Sequence, residues 1–300
     1  RNYNILFGDK NEVRSFTDIW EGGMPGYLIW LNARLYEMKR LLKPTGTIYV
    51  HLDWHASHYV KVEMDKIFGY DNFLNNIVWC YKTRQFSKQY WNKKHDDILV
   101  YRKGGRHTFN WKEVLSSYSE VTIKKYKYED EIGRYRLCGR GIQGSPIRSA
   151  KDVDPEWEQT HPELVVRDYL REGYAPEDYW QIDIVNQAAK ERIGYHTQKP
   201  EAILERIIKA SSNEGDVVAD FFCGGGSSLA VAQRLNRRWI GSDQSRIAVA
   251  ITADRITRLV EEKIGKLFPV PDFIIEHWGI YEVPGLGSLK PEQFREFIIK

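Results

Sequence analysis

Cysteine is scarce: three in 300 residues, and Cys80, Cys138 and Cys223 form no C-x-x-C pair. That excludes a disulfide-built scaffold and a zinc-type ligand cluster, so no metal is expected. The odd count suits a reducing compartment, and the cytoplasm is the expected location. No apolar run reaches membrane length and no secretory pattern is visible, so no membrane partner is expected. Internal repeats and low-complexity tracts are lacking too, which excludes solenoids and low-complexity tails. Charge of one sign is also short: 44 Lys and Arg face 41 Asp and Glu, leaving +3. A nucleic-acid surface must therefore come from local clustering. The chain begins at Arg1 and ends at Lys300 inside an apparent helix, and reads as a piece of a longer polypeptide.

What is present is organised around residues 216–244, DVVADFFCGGGSSLAVAQRLNRRWIGSDQ. An apolar run over 217–222 has strand length, Gly224 to Gly226 follow, and 227–235 suits a short helix capped by Ser227 or Ser228. A second apolar run, 239–241, leads to Asp243. This is a strand, glycine turn, helix, strand unit with a carboxylate at the second strand's tip. The glycines let backbone approach a ligand, and Asp243 can accept from ribose hydroxyls. A dinucleotide site wants a third glycine where Leu229 stands, and Asp220 would repel a pyrophosphate. A cationic, phosphate-free nucleoside such as S-adenosylmethionine suits two carboxylates better.

Upstream, Leu28, Leu31, Leu35, Met38 and Leu42 recur at helical spacing, and Pro44–Thr45–Gly46 turns the chain. Residues 47–52 read as a buried strand ending in His51, Leu52 and Asp53, where open α/β sheets bind ligands. A helix over 56–68 and strands over 75–81 and 97–102 follow. The link at 82–95 carries Lys82, Arg84, Lys88, Lys93 and Lys94 with no acid, interleaved with Phe86, Tyr90 and Trp91. Cations among aromatics suit phosphate contact plus base stacking. Residues 104–191 lose the α/β rhythm but hold Trp111, Trp157 and Trp180, so an inserted region of irregular structure is expected rather than a disordered linker. Thr197 and Lys199 then stand at the start of a helix opened by Pro200, where a ligand carboxylate would be favoured. A long helix to about residue 265, a strand over 273–282 and a helix over 291–300 complete the reading.

Taken together, these features resemble the β-group amino-methyltransferases of DNA, the N6-adenine and N4-cytosine enzymes. HTQKP resembles that family's motif X, DFFCGGG its motif I and IGSDQS its motif II. RLLKPTGTIYVHLDWHASHYVK looks like its central strand and helix, and VWCYKTRQFSKQYWNKKHDDILVYRK like its last two strands with their connecting loop. The resemblance covers most of the chain, and its specificity lies in the joint order of the blocks. The family's catalytic tetrapeptide, Asp, Asn or Ser, then Pro-Pro and an aromatic, is nowhere in these 300 residues. By analogy it belongs just upstream of residues 2–9.

The resemblance implies an α/β, doubly wound Rossmann-like sheet in circularly permuted order. Its catalytic half would span 1–103, a target-recognition insert 104–191 and a cofactor half 192–265, with an extension of unknown role at 266–300. It implies methyl transfer from S-adenosylmethionine to an exocyclic amino nitrogen of a flipped base, adenine N6 in preference to cytosine N4. The cofactor residues would be Thr197, Lys199, Asp220, Phe221, Phe222, Gly224, Gly226, Ser227, Asp243 and Gln244. His51 and Asp53 would border the reaction site. Lys82, Arg84, Lys88, Tyr90, Lys93 and Lys94 would hold double-stranded DNA, and a cognate restriction nuclease is the other expected partner. Cytosine C5 chemistry needs a cysteine after a proline, and these follow Trp79, Leu137 and Phe222. The rival readings are a DNA- and cofactor-binding subunit that transfers nothing, favoured by the missing tetrapeptide, and a methyltransferase acting on RNA or a protein amide. A nicotinamide oxidoreductase ranks last.

Overall fold

The computed structural model describes residues 22–83, 86–148, 152–186, 188–189, 191–195, 197–264 and 273–276. Arg84, His196 and residues 1–21 lie outside these, as does any reading of residues 277–300. Among the described residues, those up to Ile256 form one compact unit and those from Thr257 onward belong to a second.

The first unit opens with α1 (Gly23–Leu41), β1 (Thr47–Leu52), α2 (Ser57–Phe68), β2 (Phe73–Cys80) and β3 (His95–Arg102). It continues through α3 (Glu120–Ile123), β4 (Tyr128–Asp130), β5 (Gly133–Arg140), β6 (Pro146–Ile147), α4 (Glu156–Thr160), β7 (Val165–Tyr169) and β8 (Tyr179–Gln181). The last elements are α5 (Glu201–Ser211), β9 (Val217–Asp220), α6 (Ser227–Arg234), β10 (Arg238–Gly241) and α7 (Arg246–Ile264).

β3 sits inside a sheet of order β1-β3-β2-β8, antiparallel to both its neighbours, while β8 runs parallel to β2. Strand alternation gives this sheet two apolar faces. Leu99 and Tyr101 of β3 pack with Leu52 under α1 and α2, where Leu35, Val60 and Met64 are buried. Ile98 and Val100 face the other way, with Ile77, Trp79 and Trp180, and meet Ile203 of α5. Helices on both faces make the unit doubly wound.

β9 and β10 pair in parallel. Their cover is also α5, by its next residues: Ile208 and Leu204 pack with Val218, Val231, Ala232 and Trp239. One helix thus serves both sheets, because Ile203 and Ile207 project to one side and Leu204 and Ile208 to the other. Its C-terminal carbonyls are closed by Asn110, whose Nδ2 donates to Lys209 O at 3.1 Å and Ser212 O at 3.0 Å.

Residues 104–191 differ from the irregular structure expected. β4, β5, β6 and β7 make an antiparallel sheet with its own small core of Tyr135, Leu137 and Val165, flanked by Tyr128 and Tyr169. At its centre the buried Asp168 accepts from Arg136 at 3.3 Å and from Arg148 at 2.9 Å. The strands are short, with tyrosines among the core residues of one face and a buried charge pair on the other, so hydropathy shows no alternation. The two ends of this stretch belong elsewhere: Trp111–Val114 packs against α5, and β8 joins the larger sheet. Residues 273–276 carry no strand.

Candidate active site

The glycine turn joins β9 to α6. Gly224 and Gly226 have φ of +51° and +68°, the left-handed region that only glycine adopts without strain. The directions in which side chains would project from these glycines are taken by the chain itself. A Cβ on Gly225 would lie 2.5 Å from Ile193 Cδ1, and one on Gly226 would lie 2.5 Å from Thr252 Cγ2. Gly224 similarly faces the ring of Tyr195. From beneath, Arg255 of α7 donates to Gly225 O at 3.0 Å and Ser227 Oγ at 2.8 Å, and pairs with Glu201. Neither serine caps α6. The N-cap is Gly226, and Ser228 Oγ instead donates to Asp220. The acid and Arg255 claim the hydroxyls that local sequence assigned to the helix.

Both carboxylates brace the turn. Asp220 accepts from the Phe222 N–H at 3.0 Å. Asp243 accepts from Gly224 N–H at 2.9 Å and Ser245 N–H at 2.8 Å. Each acid keeps unused lone pairs. Phe221 is half-buried, and its carbonyl accepts from Ser242. Phe222 is 50% exposed, with its ring 5.6 Å from that of Trp30. Gln244 and Thr197 are exposed. Tyr195 is pushed up to about 12 by burial and then by the Asp243 carboxylate, so it stays a neutral phenol. Burial, with Asp220 and Asp243 adding to it, likewise raises the Cys223 thiol to about 12.

The helix start beyond Lys199 does not offer the open anion seat expected there. Glu191 Oε2 already accepts from the Glu201 N–H at 2.9 Å, and the Gln198 amide bonds Ile193 N and Glu191 O. Lys199 itself is partly exposed at its surface but deep among protein atoms. Burial lowers its ammonium pKa, and Asp220 and Asp96 oppose that fall. Lys199 thus stands between the tip of β9 and the tip of β3.

His51, at the end of β1, bonds Asp96 through Nε2 at 3.0 Å. Asp53 does not join it by contact. Its carboxylate turns back to His55, accepting from N at 3.0 Å and meeting Nδ1 at 2.8 Å, and its carbonyl receives Ala56 and Ser57 N–H. Asp53 therefore braces the turn that leads into α2. Asp96 and Tyr81, missed in the sequence, complete the His51 cluster; a link read to His95 and a strand begun at Asp97 left Asp96 in neither.

The basic loop folds over the β1–α2 turn. Lys93 Nζ lies 3.2 Å from the Trp54 ring centroid, and Lys94 Nζ donates to Thr83 O at 2.9 Å, closing the loop base. Lys82, Lys88, Tyr90 and Trp91 are exposed, Trp91 at 96%. A cavity of about 170 Å³ opens at the other end of β1, lined by Tyr49, Trp180 and Arg206 among others and by none of the glycine-turn residues. Among the described residues no group of His, Cys, Asp and Glu could hold a metal, and no helix is long and apolar enough to cross a membrane.

A family model described as DNA methylase matches residues 3–254. The type II methyltransferase M.EcaI of Enterobacter cloacae is 31% identical over 262 residues, covering 76% of this chain and 57% of that protein. The type II methyltransferase M.HpaI of Haemophilus parainfluenzae is 30% identical over 236 residues, covering 77% and 59%. The chain therefore spans somewhat over half the length of these relatives. The solved structure of the cytosine-N4-specific PvuII DNA methyltransferase shares the fold at a TM-score of 0.53 and 14% identity, over 80% of this chain and 74% of that one.

Proposed function

Because the chain belongs to the DNA methylase family, we propose that it is the core of an S-adenosylmethionine-dependent enzyme that methylates an exocyclic amino nitrogen of a base in DNA, with adenine N6 as the target. The observation that carries this reading is the glycine turn held between Asp220 and Asp243, with Lys199 linking it electrostatically to the His51 tip of the neighbouring sheet. The partners are double-stranded DNA and, in the cell, a nuclease of matching specificity.

The residues fit a sulfonium nucleoside. Two carboxylates with spare lone pairs favour a cation with a diol, and Phe222 beside Trp30 offers an aromatic wall. Asp243 would hold the ribose hydroxyls, with Gln244 toward the adenine. Asp220 would face the cationic amino group, and the side chains of Thr197 and Lys199, rather than the occupied start of α5, the methionine carboxylate. Phe221, Gly224, Gly226 and Ser227 would shape the floor. When bound, the cofactor supplies an electrophilic methyl group.

The chain's own task is then to bind, orient and exclude water. The base must leave the duplex stack, which costs a few kcal/mol. Alignment of the amino nitrogen with the methyl group carries much of the rate. Exposed Lys82 and Lys88 would hold phosphates, and Tyr90 and Trp91 would stack on bases. The test is incubation of the full-length protein with DNA and isotope-labelled cofactor, followed by nucleoside mass spectrometry. Labelled N6-methyladenine supports the reading, and N4-methylcytosine would move the target. Cofactor binding without any labelled nucleoside would leave a binding subunit.

A further inference from the structure

The tips of β1, β2 and β3 carry a polar cluster that the cofactor reading does not use. His51 pairs across the sheet with Ile98, so Asp96, two residues along β3, lies on the same face and diagonal to it. Asp96 Oδ2 receives His51 Nε2 at 3.0 Å and Oδ1 receives the Tyr81 hydroxyl at 3.0 Å. The imidazole also lies against Trp79 at 5.4 Å, and Trp79 is fixed by its indole N–H on Ile182 O at 2.7 Å. His51 is therefore held by a bond on one nitrogen and a ring on its side. Its other nitrogen, Nδ1, bonds nothing else among the described residues.

An ordinary structural ion pair would explain part of this. It explains less of the placement. A half-buried acid and histidine cost desolvation that apolar residues of similar size would avoid. The cluster lies at the C-terminal end of β1, and Lys199 couples it to Asp220 beside the glycine turn. The groups facing His51 are Asp96 from β3, Lys199 before α5 and Asp53 from its own turn, with Tyr81 behind Asp96. Burial would raise the Asp96 pKa, but the bonds from His51 and Tyr81 outweigh it and keep the carboxylate ionised. An ionised Asp96 requires Nε2 to carry the proton, leaving the lone pair on Nδ1. Burial, and then the Lys199 charge, lower the His51 pKa, so the ring is neutral near pH 7.

We propose that His51 takes up the proton which the amino group loses on methylation, and that Asp96, backed by Tyr81, is the positioning residue that fixes the imidazole's tautomer. This rests on the amino-methyltransferase reading above. A methylated exocyclic nitrogen is cationic and strongly acidic, so a weak base suffices. In the step, one N–H bond of that nitrogen breaks and its electron pair stays on nitrogen, neutralising it. The Nδ1 lone pair forms the new N–H bond. Nε2–H remains on the Asp96 carboxylate, and the imidazolium returns its proton to water once the product leaves.

The test has two arms. In the first, the parent protein without cofactor is labelled at histidine and followed by nitrogen NMR against pH. The proposal expects His51 neutral at pH 7 with the proton on Nε2, and Asp96→Asn shifting both its tautomer balance and its titration. A proton on Nδ1, or an imidazolium at pH 8, overturns it. In the second arm, single-turnover methyl transfer by the full-length protein is measured against pH. His51→Gln should slow the step by at least about 100-fold and remove its acid limb, with cofactor affinity by calorimetry unchanged. Asp96→Asn should slow it less, and Asp96→Glu should restore part of the rate. Parent-like rate and pH profile in His51→Gln sinks the proton-acceptor role while leaving the function intact. A parent protein that methylates no DNA takes both down.

Discussion

Asp243→Ala tests whether the carboxylate at the tip of β10 shapes the site before any ligand arrives. Its two oxygens accept the Gly224 and Ser245 N–H groups at 2.9 and 2.8 Å, so truncation strands two backbone donors at a turn already in the left-handed region. A hydrogen bond to a charged group contributes about 1.5–3 kcal/mol, and the side chain is part-exposed, so the lower end applies. Two such bonds give a loss of about 3 kcal/mol in unfolding free energy measured in urea without cofactor. Calorimetry should then show cofactor affinity lower by about 10- to 100-fold, as the diol loses its acceptor. Tyr195 supplies a second readout. Its phenol is held up by burial and then by Asp243, so its titration should move down in the variant. Asp243→Asn, which keeps one acceptor and sets a donor against an N–H, should fall between the two proteins. Stability within about 0.5 kcal/mol of the parent, together with lost binding, would refute the bracing argument and leave Asp243 a ligand contact alone.

Gly241→Ala would place a Cβ 2.3 Å from Cδ1 of the buried Leu229. Overpacking of about 1–3 kcal/mol should appear as a lower melting temperature, and an unchanged one would mean that α6 yields freely. Cys223, raised to about 12, is a thiolate in fewer than about one molecule in a thousand at pH 8.5. Alkylation followed by peptide mass spectrometry should therefore mark Cys80 first. Because the folded thiol binds its proton more tightly than the unfolded one, this contribution to stability is full below about pH 9 and is lost as pH rises toward 12. Lys82→Ala with Lys88→Ala should reduce the salt slope of DNA binding by about 2 in binding titrations, and an unchanged slope removes them from the interface. Lys94→Ala should instead loosen the loop base, because its ammonium is spent on Thr83 O.

The parts legible in the sequence are those whose signal is local. The stripe from Leu28 to Leu42 and the apolar run of β1, of which only Leu52 is fully buried, declare themselves because each residue faces its own layer. Three consecutive glycines before a helix similarly announce a turn. What stayed hidden depends on partners distant in sequence. The His51–Asp96 bond spans 45 residues and exists only through the β1–β3 register. Glu191, not a ligand, meets the start of α5, and Thr252 and Arg255, from a helix that carried no assigned chemistry, shape the glycine turn. The β4–β7 sheet was hidden for another reason: one face mixes tyrosines with Leu137 and Val165, and the other carries a buried Arg136–Asp168 pair, which hydropathy counts as surface.

The position of Lys199 follows from the double duty of α5. That helix must pack Ile203 on the four-stranded sheet and Ile208 on the β9–β10 pair, so its start is fixed between the two strand tips. A lysine one residue before its N-cap then comes within electrostatic reach of both Asp96 and Asp220. Burial lowers its ammonium pKa, and the two acids oppose that fall. A cation seated beside Asp220 would take up part of that carboxylate's field and leave the Lys199 ammonium more dependent on Asp96. Asp96 is also the group that orients His51, so the one ammonium lies within the field of acids at both sheet tips.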